Sequence, residues 1–171
     1  MRPPKLLPLR RIFLYLAFPI FVCTCGLAEE SRDGYAELSL MRYNVPFTIQ
    51  APDSAKVVSS SLSGVMKDVT IKSPADRFDV QILSSRASTN DMARLKSEQL
   101  DAVRDNRYFN RIVSEEANGF IFENKIDSSS LYGFRYIRYA NDQEFVFQNS
   151  LGGSYTEEEI RKMYEAVKEQ Q

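Results

Sequence analysis

Histidine is absent from all 171 residues, and that absence removes a large block of chemistry. Without imidazole there is no Ser-His or Cys-His nucleophile, no histidine general base and no use of the commonest transition-metal ligand. Cysteine is nearly as scarce, with Cys23 and Cys25 the only two. The rest of the chain is therefore without disulfides or cysteine metal sites. Glycine and proline number seven each, which argues against a fibrous or low-complexity chain. Charge bias is small as well: 22 Lys and Arg face 23 Asp and Glu, unlike the basic balance of a general nucleic-acid binder. No Walker-type loop, Gly-rich dinucleotide turn, nucleophile elbow, HExxH or Asp-x-Asx-x-Asx-Gly spacing occurs. Asn-x-Ser/Thr is missing too, so there is no glycosylation acceptor. No catalytic residue, metal ligand or cofactor site is expected, and the chain reads as noncatalytic.

What is present is unevenly spread. Residues 1–28 carry Arg2, Lys5, Arg10 and Arg11 and no acidic residue, then an apolar run from Ile12 to Val22. That is the pattern of a secretory signal, and the run is shorter than the roughly 20 residues a membrane-spanning helix needs. Stretched to Ala28 with Pro19 inside, it could instead stay as an uncleaved anchor. Two processing readings stand side by side. Gly26-Leu27-Ala28 offers small residues before Glu29, while Val22-Cys23-Thr24-Cys25 is similar to a bacterial lipobox with Cys25 as the lipid-bearing residue. Beyond the leader 18 basic residues face 23 acidic ones, so the remainder is acidic. Its 143 residues suffice for one domain burying about 68–70% of its unfolded surface. Residues 29–44 read as a polar lead segment or a first edge element, and 45–171 as a single α+β domain.

Strand signals dominate the first half. Phe47 and Ile49 alternate with Thr48 and Gln50, and Lys56 to Ser61 is a weaker candidate. Val65, Val69 and Ile71 alternate with Met66, Asp68 and Thr70, and Phe78, Val80 and Ile82 with Asp79 and Gln81; each run is apolar mainly on one side, which predicts a hairpin with one wet face. A helix follows, with Ser88 or Thr89 able to cap it and Asp91 suited to its dipole. Gln99 sits near the centre of its apolar arc, a boundary polar group or a ligand contact. Phe109, Arg111 and Val113 are expected on one face of the next strand, with Tyr108 and Ile112 on the other. Ala117-Asn118-Gly119 signals a hairpin whose turn uses positive φ. From Phe120 to Phe147 apolar residues occupy both faces of successive strands, which predicts central strands covered on both sides. Thr156-Glu157-Glu158-Glu159 is a capping box, and Ile160, Met163, Tyr164 and Val167 form the stripe of a packed helix.

The expected order is four strands, helix, four strands, helix. A sheet covered on both sides then needs one helix on each face, a mainly antiparallel α/β/α sandwich of the α+β class. With the opening Phe47-Thr48-Ile49-Gln50-Ala51-Pro52 and the closing helix, the chain resembles the PsbP-like family over about residues 45–168. The resemblance implies an extracytoplasmic protein that binds or assembles other proteins without catalysis. Adjacent Glu115 and Glu116 point to opposite faces of a strand and make no acid/base pair, and Ser63 with Lys67 matches no dyad spacing. The segment Tyr132 to Tyr139 interleaves aromatics with arginine, the residue types enriched in interfaces. Tyr132, Arg135, Tyr136, Arg138 and Tyr139 are the interface candidates, against a plainer reading in which both arginines snorkel or pair with Glu123 or Glu144. The expected function is a noncatalytic binding or assembly role in the bacterial envelope, periplasmic or secreted. Its partner would be another envelope protein, with no nucleic acid and no membrane contact beyond a lipid on Cys25. A small-molecule or lipid binder using a helix–sheet cleft is the alternative, and a histidine-free hydrolase the third.

Overall fold

Two units divide the chain, Met1–Glu30 and Ser31–Gln171. The computed structural model describes residues 34–62 and 66–168, all in the second unit. The leader with its alternatives at Ala28 and Cys25 lies outside the described residues, and so does Ser63.

Five strands precede the first helix: β1 (Tyr35–Ser39), β2 (Thr48–Pro52), β3 (Lys56–Leu62), β4 (Met66–Ser73) and β5 (Phe78–Arg86). Then come α1 (Met92–Arg104), β6 (Phe109–Glu115), β7 (Gly119–Ile126), β8 (Ser129–Ala140), β9 (Gln143–Asn149) and α2 (Glu157–Val167). The class is α+β, and every described strand pair is antiparallel. β1 and β2 form a two-stranded sheet, and the other seven run in the order β3-β4-β5-β9-β8-β7-β6. Two meanders are thus joined by α1, which carries the chain to the far edge before β9 returns beside β5.

The strand beyond the expected four is β1, in the segment read as a polar lead or first edge. It pairs with β2 from Tyr35↔Pro52 to Ser39↔Thr48. Leu40 follows it and is fully buried, held by a 3-10 turn at Met41–Tyr43 that closes with Asn44 at φ 61°. One buried leucine in a polar stretch anchors what composition alone reads as surface.

Burial follows the sequence pattern strand by strand. β4 and β5 alternate, with Val69, Ile71, Phe78, Val80 and Ile82 buried and their neighbours partly or fully exposed. β7, β8 and β9 carry buried runs on both parities, as strands covered on both sides must. The larger apolar cluster joins Ile160, Met163, Tyr164 and Val167 of α2 to Ile121, Phe134, Tyr136, Phe145 and Phe147. A second cluster joins Leu95, Leu100 and Val103 of α1 to Phe120, Phe122 and Ile137. Each such side chain contributes about 1.5–3 kcal/mol on full burial.

Local signals explain most boundaries. Asp91, rather than Ser88 or Thr89, is the N-cap of α1, because its carboxylate accepts from the backbone N–H of Ala93 and Arg94. The capping box of α2 forms: Thr156 Oγ1 accepts from Glu159 N at 3.3 Å, and Glu159 Oε2 from Thr156 N at 2.9 Å. Asn141 and Asp142, with φ 52° and 59°, make the two-residue turn between β8 and β9. The Asn118-Gly119 hairpin forms where expected but for another reason, since neither residue has positive φ. A Cβ on Gly119 would lie 2.6 Å from the Arg135 carbonyl oxygen and 2.8 Å from the Tyr164 hydroxyl, so glycine is there for close approach. In β6 the expected faces are wrong. Register shifts between Phe109 and Arg111 and between Ile112 and Ser114 break the alternation. Phe109 and Ile112 therefore join the α1 cluster while Val113 joins the other.

Candidate binding cleft

The arginines of β8 lie one strand position out of phase and meet different surroundings. Arg138 is buried; its Nη2 donates to the Val167 carbonyl at 2.9 Å, and its guanidinium lies over Phe47 at 4.8 Å and Phe147 at 5.5 Å. There it caps the C-terminal end of α2, where a cation meets unpaired carbonyls. Tyr136 beside it is buried against Phe147 and Tyr164. Tyr139 is only partly buried and donates from its hydroxyl to Asp142 Oδ1 at 2.8 Å. Tyr132 and Arg135 line a cleft. The five interface candidates thus divide among a core, a turn and a cleft, and form no single exposed patch.

A row of cross-strand partners runs over the sheet to that cleft. Val58 faces Thr70, Thr70 faces Gln81, Gln81 faces Gln148, Gln148 faces Arg135, and Arg135 faces Phe120. The middle of the row is tied by hydrogen bonds. Gln81 Nε2 donates to Asp68 Oδ2 at 2.7 Å, and Gln148 Nε2 donates to Gln81 Oε1 at 2.8 Å. Beyond Arg135 the row enters the apolar cluster under α1. Arg135 therefore stands where a polar face meets a covered one.

The cleft beside it has a volume of about 210 Å³. Ala102, Val103 and Asn106 of α1 and its end form one wall, and Phe122, Asn124, Leu131 and Gly133 of β7 and β8 the floor. The loop from Asn149 to Gly153 closes the third side. Gly133 is required in mid-strand, because a Cβ there would lie 2.6 Å from the Phe122 ring and 3.1 Å from Asn149 Oδ1. That oxygen accepts from Phe134 N at 3.2 Å and fixes the start of the loop. Ser150 and Tyr155 both bond the Asp79 carboxylate, holding the loop at two further points. Its tip is Leu151, 86% exposed, followed by Gly152 at φ 90°. The Gly152-Gly153 pair thus serves this turn.

Electrostatics single out Arg135. Burial lowers its pKa from the usual arginine value to about 10, so it stays charged at neutral pH while poorly hydrated. Its Nη1 donates to the Phe134 carbonyl at 3.3 Å, and its guanidinium lies 5.9 Å from the Phe122 ring centre. Among the described residues no carboxylate lies within ion-pair distance. Glu123 accepts from Arg111 at 2.6 Å and from Ser130, and Glu144 accepts from Gln99 at 3.0 Å. Gln99 is accordingly a satisfied boundary residue. Asn124 adds a second unbalanced group, since its buried Oδ1 has no hydrogen-bond partner. A buried polar atom left unmatched costs about 1–3 kcal/mol.

A second depression, about 330 Å³, is lined by Arg86, Ala87, Thr89, Asn90, Tyr139 and Asp142. Its tyrosine and aspartate already satisfy each other, and it offers no comparable apolar wall. Sequence reading named Arg135 and Tyr132 but missed Asn124, Asn149 and Leu151. Only Gly133 carried a signal, because an isolated glycine within a strand marks close approach.

Comparison with protein-family models, curated proteins and solved structures returned no match. No helix of the described residues is long and apolar enough to cross a membrane.

Proposed function

We propose that this is a noncatalytic binding or assembly protein of the bacterial envelope, with the Arg135 cleft as its contact site for another protein. The observation that carries the reading is a largely buried guanidinium, without a carboxylate opposite among the described residues, facing a cleft lined by apolar and amide side chains. Such a cation has a desolvation cost that an incoming anion offsets. The cleft volume is below the roughly 300–1,000 Å³ of pockets that enclose a drug-sized molecule. It suits one side chain or chain end of a larger partner, and Leu151 at the mouth supplies apolar contact area. The PsbP-like resemblance points the same way by analogy, which is weaker support because fold does not fix function.

Two structural elements of the proposal go with it. The two helices lie on opposite faces of the sheet, supported by the division of Phe120 and Ile121, and of Tyr136 and Ile137, between the two apolar clusters. Export rests on the basic and apolar leader. Mass spectrometry of the envelope fraction from cells expressing the full chain tests it. A chain beginning at Glu29 or at an acylated Cys25 supports export, and an unprocessed cytoplasmic chain contradicts it.

For the binding role, a photo-crosslinking amino acid at Leu151 should give a discrete adduct in cells, with the same group at the exposed Ser97 as control. Equal labelling at both positions, or none at Leu151, refutes the assignment of the contact site.

A further inference from the structure

We infer that the cleft recognises one carboxylate next to a small apolar group, the chemistry of a peptide's C-terminal residue. This rests on the binding role proposed above and specifies its ligand. Three features select that chemistry. First, Arg135 is the only cationic side chain among the described residues lining the cleft. A carboxylate balances its single charge, whereas a phosphate monoester brings about −1.5 to −2 and leaves negative charge uncompensated in a poorly hydrated site. Second, the guanidinium fork is largely unused, with one hydrogen bond to a carbonyl at 3.3 Å. Its planar N–H groups match a carboxylate in bidentate fashion. The Asn124 amide lines the same space, and turned end for end it presents N–H donors in place of its unmatched oxygen. Third, Ala102, Val103, Phe122 and Leu131 give the cleft apolar surface beside its amide groups, and about 210 Å³ is small for anything beyond a short side chain.

A free short acid and a chain end present the same group, and they differ at the mouth. A chain leaving the cleft passes Leu151, whereas a free acid need not touch it.

The test is calorimetric titration of the protein purified from cells expressing the full chain. The probes are N-acetyl-leucine, acetyl-Ala-Ala-Leu with a free C-terminus, the C-terminal amide of that peptide, and inorganic phosphate. Both free acids should bind, the amide should bind at least about tenfold more weakly, and phosphate should not compete. Arg135→Gln should weaken the acids at least about tenfold, and Arg135→Lys should recover part of the loss. An amide as tight as the acid, displacement by phosphate, or wild-type binding by a folded Arg135→Gln protein overturns the inference. Tighter binding of the peptide acid, reduced by Leu151→Ser, identifies a chain end. Equal affinities insensitive to Leu151→Ser identify a free acid, and both results support carboxylate recognition. The in-cell adduct separates the two claims. If it persists in Arg135→Gln while no acid binds, the carboxylate inference falls and the binding role stands.

Discussion

The two halves of the seven-stranded sheet solve different problems. From Val69 to Ser73 of β4 and from Phe78 to Ser84 of β5, buried residues alternate with partly or fully exposed ones, and Val69, Ile71, Phe78, Val80 and Ile82 supply the apolar face. In β7, β8 and β9 both parities are buried: Phe120, Phe122 and Ile137 join the α1 cluster, Ile121, Phe134, Tyr136, Phe145 and Phe147 the α2 cluster, and Glu144, Val146 and Gln148 are buried outside both. The same backbone geometry thus supports a one-sided core in one half and a two-sided core in the other. Where the halves meet, the polar side chains of the first continue into the second through Gln148 of β9. Gln81 and Gln148 satisfy each other, but the next partner in the row is Arg135, beside the edge of the covered region. A seam between wet and dry surface is where a cation can be desolvated and still reachable.

Core truncation should separate the halves most strongly. Phe120→Ala, under α1, should cost about 3–5 kcal/mol in urea unfolding. Gln81→Ala, on the polar face, should cost less, about 1–3 kcal/mol, because it removes no core packing but leaves the Nε2 of buried Gln148 without its acceptor. Similar losses at both positions would mean that the halves do not differ as described.

A smaller effect of opposite sign belongs to the seam. Arg135→Leu should raise stability by about 1 kcal/mol, since it removes a cation without a counter-charge from a poorly hydrated place. Thermal unfolding of the unliganded variant checks this. A marked loss of stability would show that Arg135 serves packing rather than recognition.

The smallest predicted effect depends on pH and lies at the β4–β5 turn. Arg77, at φ 53°, donates from Nε to Glu159 Oε1 at 2.8 Å and from Nη2 to the Ser154 carbonyl at 2.7 Å. The Arg77 hydrogen bond, followed by that from the Thr156 backbone, lowers the Glu159 pKa from 4.5 to about 2. A carboxylate with a depressed folded-state pKa contributes stability above its unfolded value, and that contribution is lost as pH falls through the folded value. Wild type should therefore lose a modest increment of stability between about pH 4.5 and pH 2 that Glu159→Gln lacks. Parallel acid titrations of the two proteins would contradict this assignment.

Much of this contrast between halves is legible in the residues themselves. Alternation around Val69 and Val80 specifies one-sided strands, the two-sided run from Phe120 to Phe147 specifies covered ones, and Thr156 with Glu159 specifies the start of α2. Local pattern fails where a nonlocal event intervenes. The irregular register of β6 separates Phe109 from Val113, and β1 is a strand because β2 is available to pair with it. The site is harder still to read. Alternation assigns Arg135 and Arg138 to opposite faces of β8. It cannot say that one caps α2 while the other borders a cleft, because that depends on helices distant in sequence. Asn124, Asn149 and Leu151 come together only through the meander and the loop after β9.

Amide chemical-shift mapping of acetyl-Ala-Ala-Leu on isotopically labelled protein tests the central claim most directly. The account predicts shifts concentrated at Val103, Gly133, Arg135 and the Leu151–Gly153 loop. Shifts centred on the exposed Val58 or Met41, with the cleft resonances unmoved at saturation, would contradict it.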